Sequence, residues 1–511
     1  MPLRTFRKLK ALAFCAYPLA LSGCIGTGGI APHSSIPQPD TLVAGAAVHN
    51  AEQDARWPAQ QWWQGYGDEQ LDRLIAQALA GSPSLALAQA RVREAQALAG
   101  AVEAAEGPQV AGTAALKRRN WPADQFYGPG ALAGDTTWDN NAGLAFNWNL
   151  DLWGRELNAS EQALDVVHER VAQARQAQLA LVDAMVQVYI RMALAYAERD
   201  IAQATLAQQE QILSLAHTRL AHGIGTQFEV SQAQTPLPET HRQLDALEES
   251  ITLAGHQLAA LAGQGPGASQ GLERPCMRLG RDLPLPSRLP AQLLGQRPDV
   301  VAARWQVAAQ ARGIQVAQAG FYPDVNLAGS LGYMATGGGM LEFLTGSKLS
   351  YSAGPALSLP IFDAGRLRGQ LGAASAGYDQ AVANYRQTLV EALRQVADQL
   401  VRRESMHKQA GLAAESVASA QRTFDLALAA YRRGLTDYLS VLNAQTALFQ
   451  QQRVQQQVQA AQLSTQARLV SALGGGVQAG DDAPDPRSLQ APATPAALSA
   501  MDRLRSTVAA P

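Results

Sequence analysis

Between Trp153 and Pro236 the chain contains no proline, and from Gly154 onward its apolar residues fall at steps of seven. Leu157, Leu164, Val171, Met185 and Met192 make one row, and Val167, Ala174, Leu181, Val188 and Ala195 a second, the signature of a long packed helix. At a rise of about 1.5 Å per residue, a helix over 154–221 reaches on the order of 100 Å. Few compact soluble domains have room for it. Just before it, Leu144, Phe146, Trp148, Leu150 and Leu152 alternate with Ala145, Asn147, Asn149 and Asp151, the period-two pattern of a strand with one apolar and one polar face. A strand of this kind feeding a helix of that length is the feature any fold must accommodate.

The feature occurs twice. LSLPIFDAGRLRGQL (357–371) repeats the strand, the junction glycine and the helix start, with Gly365 in the place of Gly154. LAHGIGTQFEVSQAQTPL (220–237) aligns without a gap on YRRGLTDYLSVLNAQTAL (431–448), which sets Gly223 opposite Gly434. SPSLALAQARVREAQ (82–96) likewise matches RPDVVAARWQVAAQA (297–311). A duplication of this length predicts two repeats, each ordered helix, strand, strand, long helix, turn, long helix. The boundaries expected are 67–280 for the first repeat, with strands at 109–118 and 139–153 and helices at 154–221 and 226–262. The second spans 281–474, with strands at 324–335 and 349–362 and helices at 365–432 and 436–473.

The N-terminus reads as an export signal over 1–23. Arg4, Arg7, Lys8 and Lys10 precede an apolar run, 11–21, too short to span a bilayer. The run ends in Leu21-Ser22-Gly23-Cys24, which resembles the lipoprotein box whose cysteine is diacylated. Residues 24–66 then read as an extended arm from that lipid, and 475–511, rich in proline, as a disordered tail. Arm and tail are expected to be dispensable for the fold. With Cys15 lost in the signal and Cys24 acylated, Cys276 has no disulfide partner.

Charge is nearly balanced, 41 Lys and Arg against 43 Asp and Glu, and the basic residues are scattered, so nucleic acid is not an expected partner. No run of 18 apolar residues follows the signal, which argues against a transmembrane helix and leaves a membrane barrel open. The four strands are each about ten residues long, enough to cross an outer membrane when tilted. A four-stranded open sheet in a bilayer has unsatisfied edges, so copies must combine into a closed barrel. Two copies make a barrel too narrow for a channel; three make a twelve-stranded one with a usable lumen.

Catalytic chemistry is scarce. The histidines lack metal-ligand spacing, His217 and His222 being the one pair near a helix end. Gly337-Gly338-Gly339 lacks the lysine of a phosphate loop and reads as a loop tip. No enzyme, cofactor or metal is expected.

The SLPIFDAG junction (358–365), the YRRG turn (431–434), the duplicated plan and the lipobox together resemble the outer-membrane efflux family of TolC and OprM type ducts, and most its NodT-like lipoprotein branch. The resemblance implies a mixed fold of α-helices and transmembrane β-strands. It implies that a homotrimer forms a twelve-stranded β-barrel in the outer membrane, continued by a long periplasmic α-helical barrel. It further implies a periplasmic adaptor and an inner-membrane RND-type pump as partners, and passive exit of drugs or other small toxic compounds. A same-fold duct for a metal-cation pump or a type I protein secretion system is the alternative. By the same resemblance the helix-turn tips, Gly223, Gly225, Tyr431, Arg432, Arg433 and Gly434, meet the adaptor, and the gate lies just beyond. There Leu439 takes an apolar ring position, while Ser440 and Asn443 stand where relatives carry aspartate. Glu229 stands at another acidic position and is expected to pair with Arg432 or Arg433.

Overall fold

A computed structural model describes residues 26–37, 58–123, 132–278, 297–476 and 488–490. The export signal, Cys24 and the connection between the repeats lie outside the described residues. In chain order the first half runs α1 (Glu69–Gly81), α2 (Pro83–Ala104), β1 (Gln109–Asn120), β2 (Thr136–Asn149), α3 (Arg155–Ala221), α4 (Gln227–Gln234) and α5 (Pro236–Leu261). The second runs α6 (Pro298–Ala319), β3 (Asp324–Thr336), β4 (Leu349–Ser358), α7 (Arg366–Arg432) and α8 (Tyr438–Ala472). Each of α3 and α7 is 67 residues long.

Both strand-to-helix junctions use the same chemistry. The strands end at Asn149 and Ser358, short of the expected 153 and 362, because the next residues build a cap. Asp151 accepts from the amides of Arg155 (2.7 Å) and Leu157 (2.9 Å), and Asp363 from those of Gly365 (3.0 Å) and Leu367 (2.8 Å). These carboxylates satisfy amides that the first helical turn leaves without partners. Gly154 and Gly365 take the left-handed backbone the turn needs, at φ 70° and 91°. A second difference lies in the helix expected over 226–262, which is divided into α4 and α5. Pro236 has no amide to donate and starts a new helix at a position where proline is tolerated.

The four strands form one antiparallel sheet in the order β1-β2-β3-β4, so the two repeats meet at β2 and β3. The register puts Val110, Leu116, Leu144, Phe146, Trp148, Leu327, Leu331, Tyr351 and Leu357 on one face. Thr113, Asn141, Asn147, Asn326, Ser330 and Ser352 lie on the other. The apolar face is bare, with Val110 65%, Leu331 53%, Tyr351 80% and Leu357 71% exposed. Among the described residues no α-helix packs on it as a soluble sheet would require.

The cores lie among the helices. Leu71, Leu74, Ile75 and Ala78 of α1 close over Leu181, Met185, Val188, Tyr189 and Met192 of α3. That part of α3 contains an 18-residue window of mean hydropathy 1.4, apolar enough for a membrane span by composition, yet half buried inside the protein. The heptad rows hold in this middle part only. Leu157 and Leu164 are exposed, 53% and 48%, because near the sheet the buried side of α3 runs through Ser160, Asp165 and Ala172 instead. In α7, Val382, Leu389 and Val396 are all buried.

Parts of the arm and tail pack on the body of the protein, contacts that their reading as an extended arm and a disordered tail did not include. Trp63 and Tyr66, placed in the arm by sequence, are buried in the first repeat's core. Farther up the chain, Arg368 Nε donates to Gly26 O (2.9 Å), Asp379 accepts from the amides of His33 and Ser34, and Ile30 and Ile36 pack on the α6–α7 core. Leu489 of the tail is buried in that same core, and its carbonyl accepts from the Tyr378 hydroxyl at 2.9 Å.

Candidate functional site at the helix-turn tips

The ends of α3 and α7 farthest from the sheet are turned back by the same device. Gly223 (φ 70°) donates to Leu220 O and Gly434 (φ 74°) to Tyr431 O, both at 3.0 Å. A left-handed glycine ends a helix without a Cβ penalty. Gly225 is glycine for space, since a Cβ there would lie 2.9 Å from the Leu220 amide nitrogen. The returning helices are capped alike. Thr226 accepts from the Glu229 amide (3.2 Å) and Asp437 from the Ser440 amide (3.1 Å).

The tip has its own core, in which Ile212, Ala216, Val230 and Ala233 meet Phe424, Tyr431, Tyr438, Val441, Ala444 and Leu448. Tyr431 is wholly buried, so it cannot be part of a contact surface as the resemblance implies. Its ring lies 6.0 Å from that of Tyr438 and 4.8 Å from the Arg219 guanidinium. Arg219 Nε also stands 3.9 Å from Glu229 Oε2. Glu229 therefore faces an arginine of its own repeat, and not Arg432 or Arg433, which are exposed. Neither tyrosine hydroxyl has a hydrogen-bond partner among the described residues. Burial pushes the Tyr438 hydroxyl up to about 12, and burial with the nearby Glu229 carboxylate raises that of Tyr431.

Leu439, Ser440 and Asn443 all lie on the exposed side of α8, opposite buried Tyr438, Val441 and Ala444. The Ser440 hydroxyl is engaged, donating to Asp437 Oδ1 at 2.7 Å and accepting from Thr436 Oγ1 at 3.0 Å. The two bonds from Ser440 hold the Asp437 carboxyl below the usual carboxylate range. Sequence reasoning missed Asp437, whose signal was its place at the start of a helix. It also missed Ile224, Phe228 and Leu435, exposed by 66%, 68% and 75% around the two turns. His217 and His222 are exposed, and His222 Nδ1 bonds the Thr218 carbonyl. Among the described residues no group of three His, Cys, Asp or Glu is placed to hold a metal.

At the opposite end of the helices, a recess of about 670 Å³ opens where the sheet meets the helices, lined among others by Asp151, Arg155, Gln162, Gln310 and Arg366. Its polar lining continues the polar face of the sheet.

Comparison with known proteins agrees with this geometry. The model of the outer membrane efflux protein family matches residues 74–264 and 289–475, one match per repeat. The fusaric acid resistance protein FusA of Burkholderia cepacia is 43% identical over 489 residues, covering 94% of this chain and 90% of its own. The multidrug resistance outer membrane protein MdtP of Escherichia coli is 29% identical, covering 93% and 98%. Among solved structures, the outer membrane protein VceC of Vibrio cholerae superposes with a TM-score of 0.77 at 33% identity, over 82% of this chain and all of that one.

Proposed function

Because this chain belongs to the outer membrane efflux protein family, we propose that three copies close into one duct whose strands span the outer membrane and whose helices cross the periplasm. As an efflux channel of the outer membrane it provides the passive exit of a tripartite system. The observation that carries the trimer is the sheet, with an exposed apolar face and with the outer edges of β1 and β4 unpaired among the described residues. Backbone edges in lipid must be closed, and three sheets of four strands close a barrel wide enough to conduct. Dimensions support the same placement. Trp138 and Trp148 on the apolar face are ten residues apart, about 33 Å along the strand, which a tilt of 45° reduces to roughly 23 Å, the height of the apolar band of such barrels.

The polar face then lines the lumen, and the far helix turns face the periplasm. We assign adaptor contact to the exposed ring formed by Ile224, Phe228 and Leu435 with Arg432 and Arg433, held in shape by Gly223, Gly225 and Gly434. By the family resemblance, an inner-membrane pump of the RND kind supplies the energy. The likeness to a fusaric acid resistance protein supports small toxic organic compounds as the cargo. Diacylation of Cys24 supplies a second membrane anchor beside the barrel. Cross-linking of detergent-extracted protein tests the assembly. Products should stop at a trimer that conducts in planar bilayers, and a conducting monomer or dimer would overturn the closure argument.

A further inference from the structure

The end of the sheet farthest from the helices carries a surface that a passive pore wall does not require. Arg118 pairs with Trp138 across β1 and β2, on the same face as Leu116 and Leu144. Its guanidinium lies 5.8 Å from the Trp138 ring. Arg119 points to the polar face, where it meets Asp139 at 3.8 Å. Arg118 is thus a cation at the end of a largely apolar face, and neither it nor Lys348, just before β4, has a carboxylate partner among the described residues.

The connection between β3 and β4 is fixed on that same side. Asn140 and Ala335 pair across the sheet on the apolar face, and both are buried, 2% and 8% exposed. The Asn140 side chain donates to Met340 O at 2.7 Å, Gly337 donates to Trp138 O at 2.7 Å, and Phe343 is buried beneath the loop. Held this way, the loop presents Met340, Leu341 and Leu344, exposed by 46%, 62% and 52%. Three bare apolar side chains on an anchored loop have no reason to face water.

We propose that this rim, made of Arg118, Trp138, Lys348 and the loop at 337–348, binds the phosphorylated glycolipid of the outer leaflet. Met340, Leu341 and Leu344 enter the acyl boundary, while Arg118 and Lys348 meet the phosphates. Charge complementarity selects the occupant. Arg118 stands on the apolar face beside the Trp138 ring, and Lys348 lies on the same rim just before β4, the arrangement suited to a lipid head bearing phosphate directly above acyl chains. The inference rests on the strands spanning the outer membrane, and its test is separate from the test of that reading.

Detergent-extracted trimers are titrated with lipid A, and in parallel with phosphatidylglycerol, and bound lipid is counted by native mass spectrometry. The wild type is expected to retain lipid A more tightly than phosphatidylglycerol. The double variant Arg118→Gln, Lys348→Gln should lower lipid A affinity roughly 30-fold with trimer mass and single-channel conductance unchanged. Should that variant not assemble, Met340→Ser with Leu341→Ser, which keeps both cations, is expected to lower lipid A retention several-fold. Lipid A affinity within twofold of wild type in an assembled variant overturns the proposal, and so does equal binding of phosphatidylglycerol. A wild-type protein that neither trimerises nor conducts would instead defeat the duct reading.

Discussion

The Arg219 guanidinium lies 4.8 Å from the Tyr431 ring, so the last turn of α3 in the first repeat grips the last turn of α7 in the second. Aromatic contact holds this grip, since the Tyr431 hydroxyl is buried without a partner among the described residues. A buried hydroxyl left unpaired costs about 1–3 kcal/mol. Tyr431→Phe should therefore leave thermal stability unchanged or raise it, while Tyr431→Ala, which empties a wholly buried site, should cost roughly 3–5 kcal/mol. Hydrogen exchange over 424–448 reads the difference, fast in the alanine variant and slow in the phenylalanine one. Equal loss of protection in both would mean that the Tyr431 hydroxyl contributes to stability after all, and the reading of the grip as aromatic contact would fail.

The gate prediction concerns the exposed side of α8. If Leu439 and Asn443 line the constriction of the trimer, Leu439→Ala removes an apolar plug, and Asn443→Asp crowds three carboxylates round one axis, which raises their energy when all are charged. Both should raise single-channel conductance or open probability, and the aspartate variant should become cation-selective and blockable by polyvalent cations. Changes at Ser440 should do less, because its hydroxyl is spent on Asp437. Recordings with unchanged conductance for both Leu439→Ala and Asn443→Asp would move the closing ring elsewhere on these helices.

Much of the architecture was legible because it is written in periods. The alternation in β2 and the seven-residue steps around Met185 depend on local geometry that a single sequence displays. The junction caps were half legible. Gly154 and Gly365 announced a turn, but that Asp151 and Asp363 would end the strands early depends on which amides lack partners, a three-dimensional matter. Glu229 shows where a sequence reading fails. The resemblance pairs it with Arg432 or Arg433, yet the charge it meets is Arg219, one helical end away in its own repeat. Leu489 was illegible for another reason, since one apolar residue among prolines gives no period at all.

Arm and tail converge on the second repeat, which makes them testable as clamps. Asp379 accepts from Ser34 at 2.8 Å, and Leu489 is 5% exposed on the same core. Leu489→Ala should lower stability by about 2–3 kcal/mol and Asp379→Ala by about 1–2 kcal/mol. A truncation after 476 should behave like Leu489→Ala. Thermal unfolding of detergent-solubilised protein measures all three, and a truncated protein as stable as the full chain would restore the view of the tail as dispensable.

The lipid anchor is tested by labelling. Radiolabelled palmitate should enter the wild type and not Cys24→Ser, and that variant should fold and stay largely in the outer membrane, because the barrel is an anchor in its own right. Wild-type protein that takes up no palmitate would remove the lipoprotein assignment and leave the duct intact.

The last prediction lies where the repeats are joined by charge. Asp165 on α3 is 7% exposed, its Oδ2 makes no hydrogen bond, and Arg312 Nε on α6 stands 3.8 Å away. Arg312 gives its closer contact to Glu161. Burial accordingly outweighs the arginine and, with help from Glu161, raises the Asp165 carboxyl to about 6. The folded protein then keeps this proton up to about pH 6, while the unfolded chain releases it near the ordinary value of 3.8. Between those values the folded state binds more protons, so this group's contribution to stability is full below about pH 4 and is lost as pH rises towards 6. Asp165→Asn keeps the shape without the charge. It should flatten the pH dependence between about 4 and 6 and stabilise the protein at pH 7 by roughly 1–3 kcal/mol. Thermal unfolding of both proteins across that range decides the matter. An asparagine variant that is less stable at pH 7 would show that the ionised Asp165–Arg312 pair fastens the repeats more than burial of the charge strains them.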